Sequence, residues 1–197
     1  MILEIKSVTA PQVPEIVALD RLCIGGLWKA EAYLREIDSP RSSLLSLGIK
    51  SSYEQKSKTI GMGCLWAIVD EAHITLLAIA PDYRKQGLGQ LLLTTLLQDA
   101  LARQLEWATL EVNVNNLGAI ALYQKYGFEV VGTRKGYYQP TGDDAAILWL
   151  KEIQSSEFKS RLARWQQRLS ERLSPNYTIV VRQNEISCLD ANHYYSG

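Results

Sequence analysis

Apolar and polar residues alternate in the first segment, Ile2-Leu3-Glu4-Ile5-Lys6-Ser7-Val8, as they do in a half-buried strand. Val13, Ile16, Val17 and Leu19 then fall at helical spacing. A second short helix is expected over Lys29–Ile37, stopped by the Asp38-Ser39-Pro40 breaker. Two strand-like runs, residues 43–51 and 58–70, are separated by a polar linker and predict an antiparallel meander. Residues 72–81 (AHITLLAIAP) are almost continuously apolar, which suits a central strand covered on both faces. After them the period changes to strand-helix-strand: an amphipathic helix from about Leu88, a strand in EWATLEVNV, a helix in NLGAIALYQKYG closed by Gly127, and strands in FEVVGTRK and AAILWLKEI. Antiparallel strands first and strand-helix-strand units after predict an α+β, three-layer αβα architecture around one mixed sheet with helices on both faces.

Past Ile153 the pattern changes again. Phe158, Leu162, Trp165, Leu169 and Leu173 form one apolar helical stripe, while Lys159, Arg161, Arg164, Arg168 and Arg172 make the rest of that helix basic. A solvated face on a helix packed against the core is the ordinary reading of such charges. YTIVVRQ is a candidate edge strand. The chain is therefore expected to divide into a main domain, 1–153, and a C-terminal basic amphipathic helix and tail, 154–197.

Composition narrows the function classes. In 197 residues, 21 Lys and Arg balance 21 Asp and Glu, so no global field favours nucleic acid or an anionic membrane. The first residues lack a charged n-region and apolar run, and no stretch approaches a membrane span, which predicts a soluble, cytoplasmic protein. Cys23, Cys64 and Cys188 lie far apart without metal-ligand spacing, and His73 and His193 are the only histidines, so neither a disulfide framework nor a metal site is expected.

The turn Arg84-Lys85-Gln86-Gly87-Leu88-Gly89-Gln90 carries the most specific chemistry. Placed at a helix N-terminus, its glycines would let the N–H groups of Lys85 to Gln90 converge on a pyrophosphate, with Arg84 and Lys85 adding charge. A tight connection without a ligand explains the same residues. No GxxxxGK[ST] loop is present. A dinucleotide fingerprint would make Glu111 a ribose ligand, but Leu92 stands where its third glycine should be. What remains is the [QR]-x-x-G-x-[GA] turn. By pattern alone Glu111 is a solvent-facing strand residue beside Thr109 and Asn113, Tyr123 is a core residue, and Asn116 is an N-cap.

The segments LLAIAPDYRKQGLGQLLL, LEVNVNNLGAIALYQKYGFEVVGTRKGYY and DDAAILWL together resemble the GNAT acetyltransferase superfamily, and within it the ribosomal-protein-alanine N-acetyltransferase (RimI-like) branch. The similarity is continuous from about Glu71 to Leu150 and weaker before it. Several expectations follow from the resemblance: a GNAT fold with a C-terminal helical extension, acetyl-CoA as cosubstrate, and the N-terminal amine of a ribosomal protein as acceptor. It implies Glu111 as general base, directly or through water, and Tyr123 as the acid that protonates the thiolate. It also implies cofactor contacts from the backbone of Leu77, Ala78 and Ile79, from the turn Arg84, Lys85, Gln86, Gly87, Leu88, Gly89 and Gln90, and from Asn116. Acceptor contacts are implied for Trp28 and Tyr138. Two departures touch the acceptor side: Gly136 replaces the family's asparagine before the Tyr-Tyr pair, and Leu27-Trp28-Lys29 replaces Pro-Trp-Ser. A lysine side chain or a small amine as acceptor, and a non-catalytic CoA-binding module docked on the ribosome, stay open as alternatives. Direct nucleic-acid binding is not expected; the basic C-terminal helix leaves only a ribosome contact open.

Overall fold

The computed structural model describes residues 1–139 and 141–182. Cys188, His193 and the rest of the tail beyond 182 lie outside them, as does Pro140. Eight strands form one mixed sheet in the order β6-β7-β5-β4-β3-β2-β1-β8. The strands are β1 (Ile2–Ser7), β2 (Ser42–Lys50), β3 (Lys58–Ile68), β4 (Glu71–Ile79), β5 (Trp107–Asn113), β6 (Glu129–Tyr138), β7 (Asp143–Leu150) and β8 (Thr178–Arg182). The helices are α1 (Val13–Ile24), α2 (Ala30–Asp38), α3 (Leu88–Ala102), α4 (Leu117–Lys125) and α5 (Ser156–Leu173). β1 to β4 form the expected antiparallel meander.

The apolar pattern divides between two faces. One core contains Leu92, Leu93, Leu96 and Leu97 of α3, Tyr123 of α4, and Phe158, Leu162, Leu169 and Leu173 of α5. The other contains Val13, Ile16 and Leu19 of α1 with Tyr33 of α2. Helices therefore cover both faces of the sheet, as the pattern predicts. α3 lies close to the sheet because β3 presents glycines beneath it. A Cβ on Gly63 would stand 3.0 Å from Leu96, and one on Gly61 would stand 3.2 Å from Leu92. The small residues that permit close packing are on the strand, so α3 carries Leu92 where a dinucleotide-binding helix would need a glycine.

Two features of β4 position the site. β4 pairs with the parallel β5 only over Glu71↔Trp107, Ala72↔Ala108 and His73↔Thr109. Against β3, the register passes from Leu65↔Ile74 to Cys64↔Leu76, leaving Thr75 as one extra residue. Such a bulge bends its strand and increases its twist. The faces exchange at that point: Ala72 and Ile74 belong to the α3 core, Leu76 and Ala78 to the α1 core. From Ile74 onward β4 leaves β5, and a gap opens in the middle of the sheet.

The C-terminal segment is built into both layers. Ser155 caps α5 by accepting from the Phe158 N–H at 3.1 Å, and the apolar stripe lies in the core shared with α3. Trp165 packs on Tyr126, with ring centroids 4.5 Å apart. β8 then joins β1 in parallel at the sheet edge. Replacing the fully buried Phe158 by Ala is expected to cost ~3–5 kcal/mol, read as a lower urea midpoint at unchanged m value.

Candidate active site

The turn before α3 folds as an open cradle. Gly87 is its N-cap residue, at φ +91, a conformation that L side chains rarely adopt. Leu91 donates the first helical bond, to the Gly87 carbonyl at 3.0 Å. Among the described residues no backbone N–H from Lys85 to Gln90 has a partner, side-chain acceptors included. Six donors at the positive end of a helix dipole are a complement for phosphate. Nothing in the surrounding fold requires glycine at 89, because a Cβ there would make only ordinary contact, 3.6 Å from Leu122. A ligand lying against the backbone would account for it. The Arg84 side chain turns back, its Nε donating to the Ile79 carbonyl at 2.9 Å, and ties the turn to the end of β4.

The β4 edge leads from this cradle into the gap. Ala80 donates its N–H to Ile60 of β3, so strand alternation turns the backbone groups of Ala78 toward β3 and those of Leu77 and Ile79 toward the gap. Leu77 thus offers its N–H and carbonyl, and Ile79 its N–H, where β5 no longer pairs; the Ile79 carbonyl is taken by Arg84. A pantetheine arm, with its two amides, is a complement for such an edge. Cradle and edge together fit the diphosphate and arm of a CoA ester.

Glu111 stands on β5 beside the gap, its side chain 10% exposed. Leu110 and Val112 face the α3 core, while Thr109, Glu111 and Asn113 share the opposite face. His73 Nε2 lies 2.8 Å from Glu111 Oε2, and Arg134 of β6 lies 3.1 Å from Oε1. His73 Nδ1 is 3.8 Å from Glu71, which accepts from the Thr109 hydroxyl. Each Glu111 oxygen keeps a lone pair for a further donor.

Tyr123 is buried on α4, edge-on to Phe128. Burial, and in smaller part the neighbouring Tyr138, pushes its phenol well above the usual tyrosine range. Tyr138 is pushed up to about 12, first by burial, then by Tyr137 and Glu111. Tyr138 is thus near enough to feel Glu111 and to act on Tyr123. Asn116 is the N-cap of α4, its Oδ1 accepting from the Ala119 N–H at 3.1 Å. The cap leaves its NH₂ group free to donate elsewhere.

Trp28 stands on the other side of Glu111. It stacks on Trp66, centroids 6.0 Å apart and ring planes nearly parallel, and Trp66 meets His73 edge-on at 6.2 Å. These rings form a wall from the α1–α2 turn to the Glu111 pair. The fully buried Asp20 fixes its outer end, accepting from the N–H groups of Leu27 and Trp28, both at 2.8 Å, and from Tyr33 Oη at 2.9 Å. Gly136, the departure in the β6 segment, has φ +58 and donates its N–H to Asp144 at 2.9 Å. Asparagine is the other residue that readily adopts this left-handed conformation, so the glycine preserves the backbone course.

The family model described as "Acetyltransferase (GNAT) family" matches residues 13–128, and the chain belongs to that family, whose enzymes use acetyl-CoA. A Bacillus subtilis protein named as a proposed ribosomal protein bS18-alanine N-acetyltransferase is 27% identical over 147 residues, 74% of this chain and 93% of that one. The ribosomal protein bS18-alanine N-acetyltransferase of Escherichia coli K12 is 37% identical over 98 residues, 49% of this chain and 66% of its own length. The crystal structure of the ribosomal-protein-S18-alanine N-acetyltransferase from Escherichia coli superposes with a TM-score of 0.66 at 27% identity, covering 77% of this chain and 94% of that one. Arabidopsis thaliana NAA60 in complex with acetyl-CoA shares the fold, with a TM-score of 0.68 at 15% identity over 76% of this chain and 98% of that one. Among the described residues no helix is long and apolar enough to cross a membrane.

The structure brings Glu111, Tyr123 and Tyr138 together around the gap, with Trp28 further out and the Gly87 cradle at the far end of β4. Sequence reading passed over His73, Arg134 and Asp20. His73 and Arg134 lie 38 and 23 positions from Glu111 and carry no local signal. Asp20 had one, being a carboxylate four residues after Ile16 on the buried side of α1. Replacing Asp20 by Ala leaves three donors unpaired, with an expected loss of ~3 kcal/mol in denaturant unfolding. A higher KM for the acceptor at unchanged CoA affinity would accompany it.

Proposed function

We infer that this acetyltransferase acts on the N-terminal α-amine of a protein, with a ribosomal protein bearing an N-terminal alanine as the favoured acceptor. The observation that carries the reading is Glu111 held between His73 and Arg134 on β5, beside the β4–β5 gap. The relatives named for bS18-alanine acetylation support the choice of acceptor. An α-amine has a pKa of about 7.7–8.0, so near neutral pH a carboxylate suffices as base, whereas a lysine amine at about 10.4 demands more.

Acetyl-CoA supplies the acetyl thioester. As the amine nitrogen bonds to the carbonyl carbon, Glu111 takes the proton the amine sheds, directly or through one water. The carbon–sulfur bond breaks, and Tyr123 gives its hydroxyl proton to the departing sulfur. Leu77 and Ile79 hold the arm with backbone groups, the Lys85–Gln90 amides hold the diphosphate, and Asn116 adds a side-chain donor. Trp28 and Tyr138 flank the acceptor peptide. His73 and Arg134 position the Glu111 carboxylate.

Tyr123→Phe is expected to lower kcat about 100-fold or more at unchanged CoA affinity; full turnover in this variant would remove Tyr123 as the acid. Both phenols lie above their usual value. Raised phenol values keep the proton on the folded protein as pH climbs, so kcat should show no alkaline fall from tyrosine ionisation until above about pH 10. The unfolded chain ionises first, so these phenols subtract stability as pH rises from about 10 toward 12. Gly87→Glu should abolish acetyl-CoA binding in calorimetry. Peptides with free and blocked N-termini distinguish the α-amine from a lysine or small-amine acceptor. Mass spectrometry of protein N-termini from cells with and without the gene identifies the natural acceptor: a ribosomal N-terminus that loses its acetyl group supports the reading, and an unchanged set refutes it.

A further inference from the structure

The matched family region ends at residue 128, yet the last turn of α5 reaches back onto the cradle it contains. The Arg172 guanidinium lies against Gly87: a Cβ built there would stand 2.9 Å from Cζ and collide outright with Nη2. Arg172 Nη2 donates to Gln90 Oε1 at 3.2 Å, and Lys125 Nζ of α4 donates to the same oxygen at 3.3 Å. Neither cation has a carboxylate partner among the described residues. Tyr177, just past α5, donates to Gln86 Oε1 at 2.9 Å, so the C-terminal segment grips the turn at both ends. Gly87 is thus constrained twice, by its backbone conformation and by the guanidinium above it.

We propose that Arg172 is a ligand of the cofactor diphosphate, a cation supplied by the C-terminal extension to the phosphate cradle of the acetyltransferase core. Two cations share one neutral amide oxygen beside six open N–H groups. A diphosphate there gains the helix N-terminus, the amides and both charges, and a guanidinium presents a planar fork matched to phosphate oxygens. One arm of that fork stays on Gln90 and the other turns to the diphosphate. Arg172 binds the handle of the cosubstrate, far from the thioester, so it sets affinity and not the chemical step.

The inference rests on the acetyl-CoA reading, and titration calorimetry of the full chain with CoA and with dephospho-CoA separates the two. Wild-type protein that binds neither ligand defeats both. With wild-type binding established, Arg172→Gln is expected to weaken CoA about tenfold and dephospho-CoA by the same factor. KM for acetyl-CoA should rise in step at unchanged kcat. Arg172→Lys, which keeps the charge without the fork, should fall between. The unliganded Arg172→Gln protein should melt with the wild type, since the hydrogen bond it loses is exposed. Unchanged CoA affinity in Arg172→Gln overturns the proposal. So does a loss seen with CoA but absent with dephospho-CoA, which would move Arg172 to the 3′-phosphate. A loss of affinity matched by an equal loss of kcat would make the residue structural and overturn it as well.

Discussion

The parting of β4 from β5 is the constraint on which the site depends. Parallel neighbours in the middle of a sheet normally pair along their whole length, and leaving buried peptide groups unpaired costs free energy. Here pairing stops after His73↔Thr109, and the one-residue bulge at Thr75 turns β4 away. The backbone groups of Leu77 and the N–H of Ile79 are left without β5 as a partner, while the Ile79 carbonyl is taken by Arg84. On their other sides the two strands stay paired, β4 with β3 and β5 with β7.

The same divergence explains why the groups of the proposed reaction come from different layers. Glu111, His73 and the Trp28–Trp66 wall lie on the α1–α2 side. Tyr123 belongs to the core on the other side, and Tyr138, at the end of β6, is near enough to influence it. A base and an acid in one layer would compete for the same surface of the reacting carbonyl. In the proposed reaction, placement across a gap in the sheet lets them reach the incoming amine and the outgoing sulfur separately. The buried Asp20 holds the Trp28 end of that wall by satisfying three donors at once, which makes the α1–α2 turn rigid where a surface loop would be loose.

The C-terminal segment joins this scheme through ordinary packing. Its apolar stripe seats α5 on α3, and that seat carries the last turn of α5 to the first turn of α3. Of its five basic positions, Arg161 stacks on Phe158 and Trp165 and Arg172 reaches the cradle. A helix that looked evenly basic in sequence spends two of its cations on the fold and on the cradle's edge.

Most of the architecture was legible in the residues, because burial on one or two faces imposes a period and breakers end it. The meander, the nearly continuous apolar run of β4, the Gly-rich start of α3 and the stripe of α5 each follow from local spacing. Gly87 and Gly89 marked a cradle for the same reason: a backbone that must be approached closely or bent to positive φ restricts the residue type in place. The sequence also placed Glu111 and Tyr123 on one strand and one helix, where spacing alone made them a surface carboxylate and a core phenol. Only the tertiary structure set His73, 38 residues away, against Glu111, brought Tyr138 near both Glu111 and Tyr123, and laid Arg172 over Gly87 from 85 residues downstream. Those contacts depend on strand order, on a bulge and on a helix–helix seat, and these are properties of distant segments folding on one another that no local period can encode.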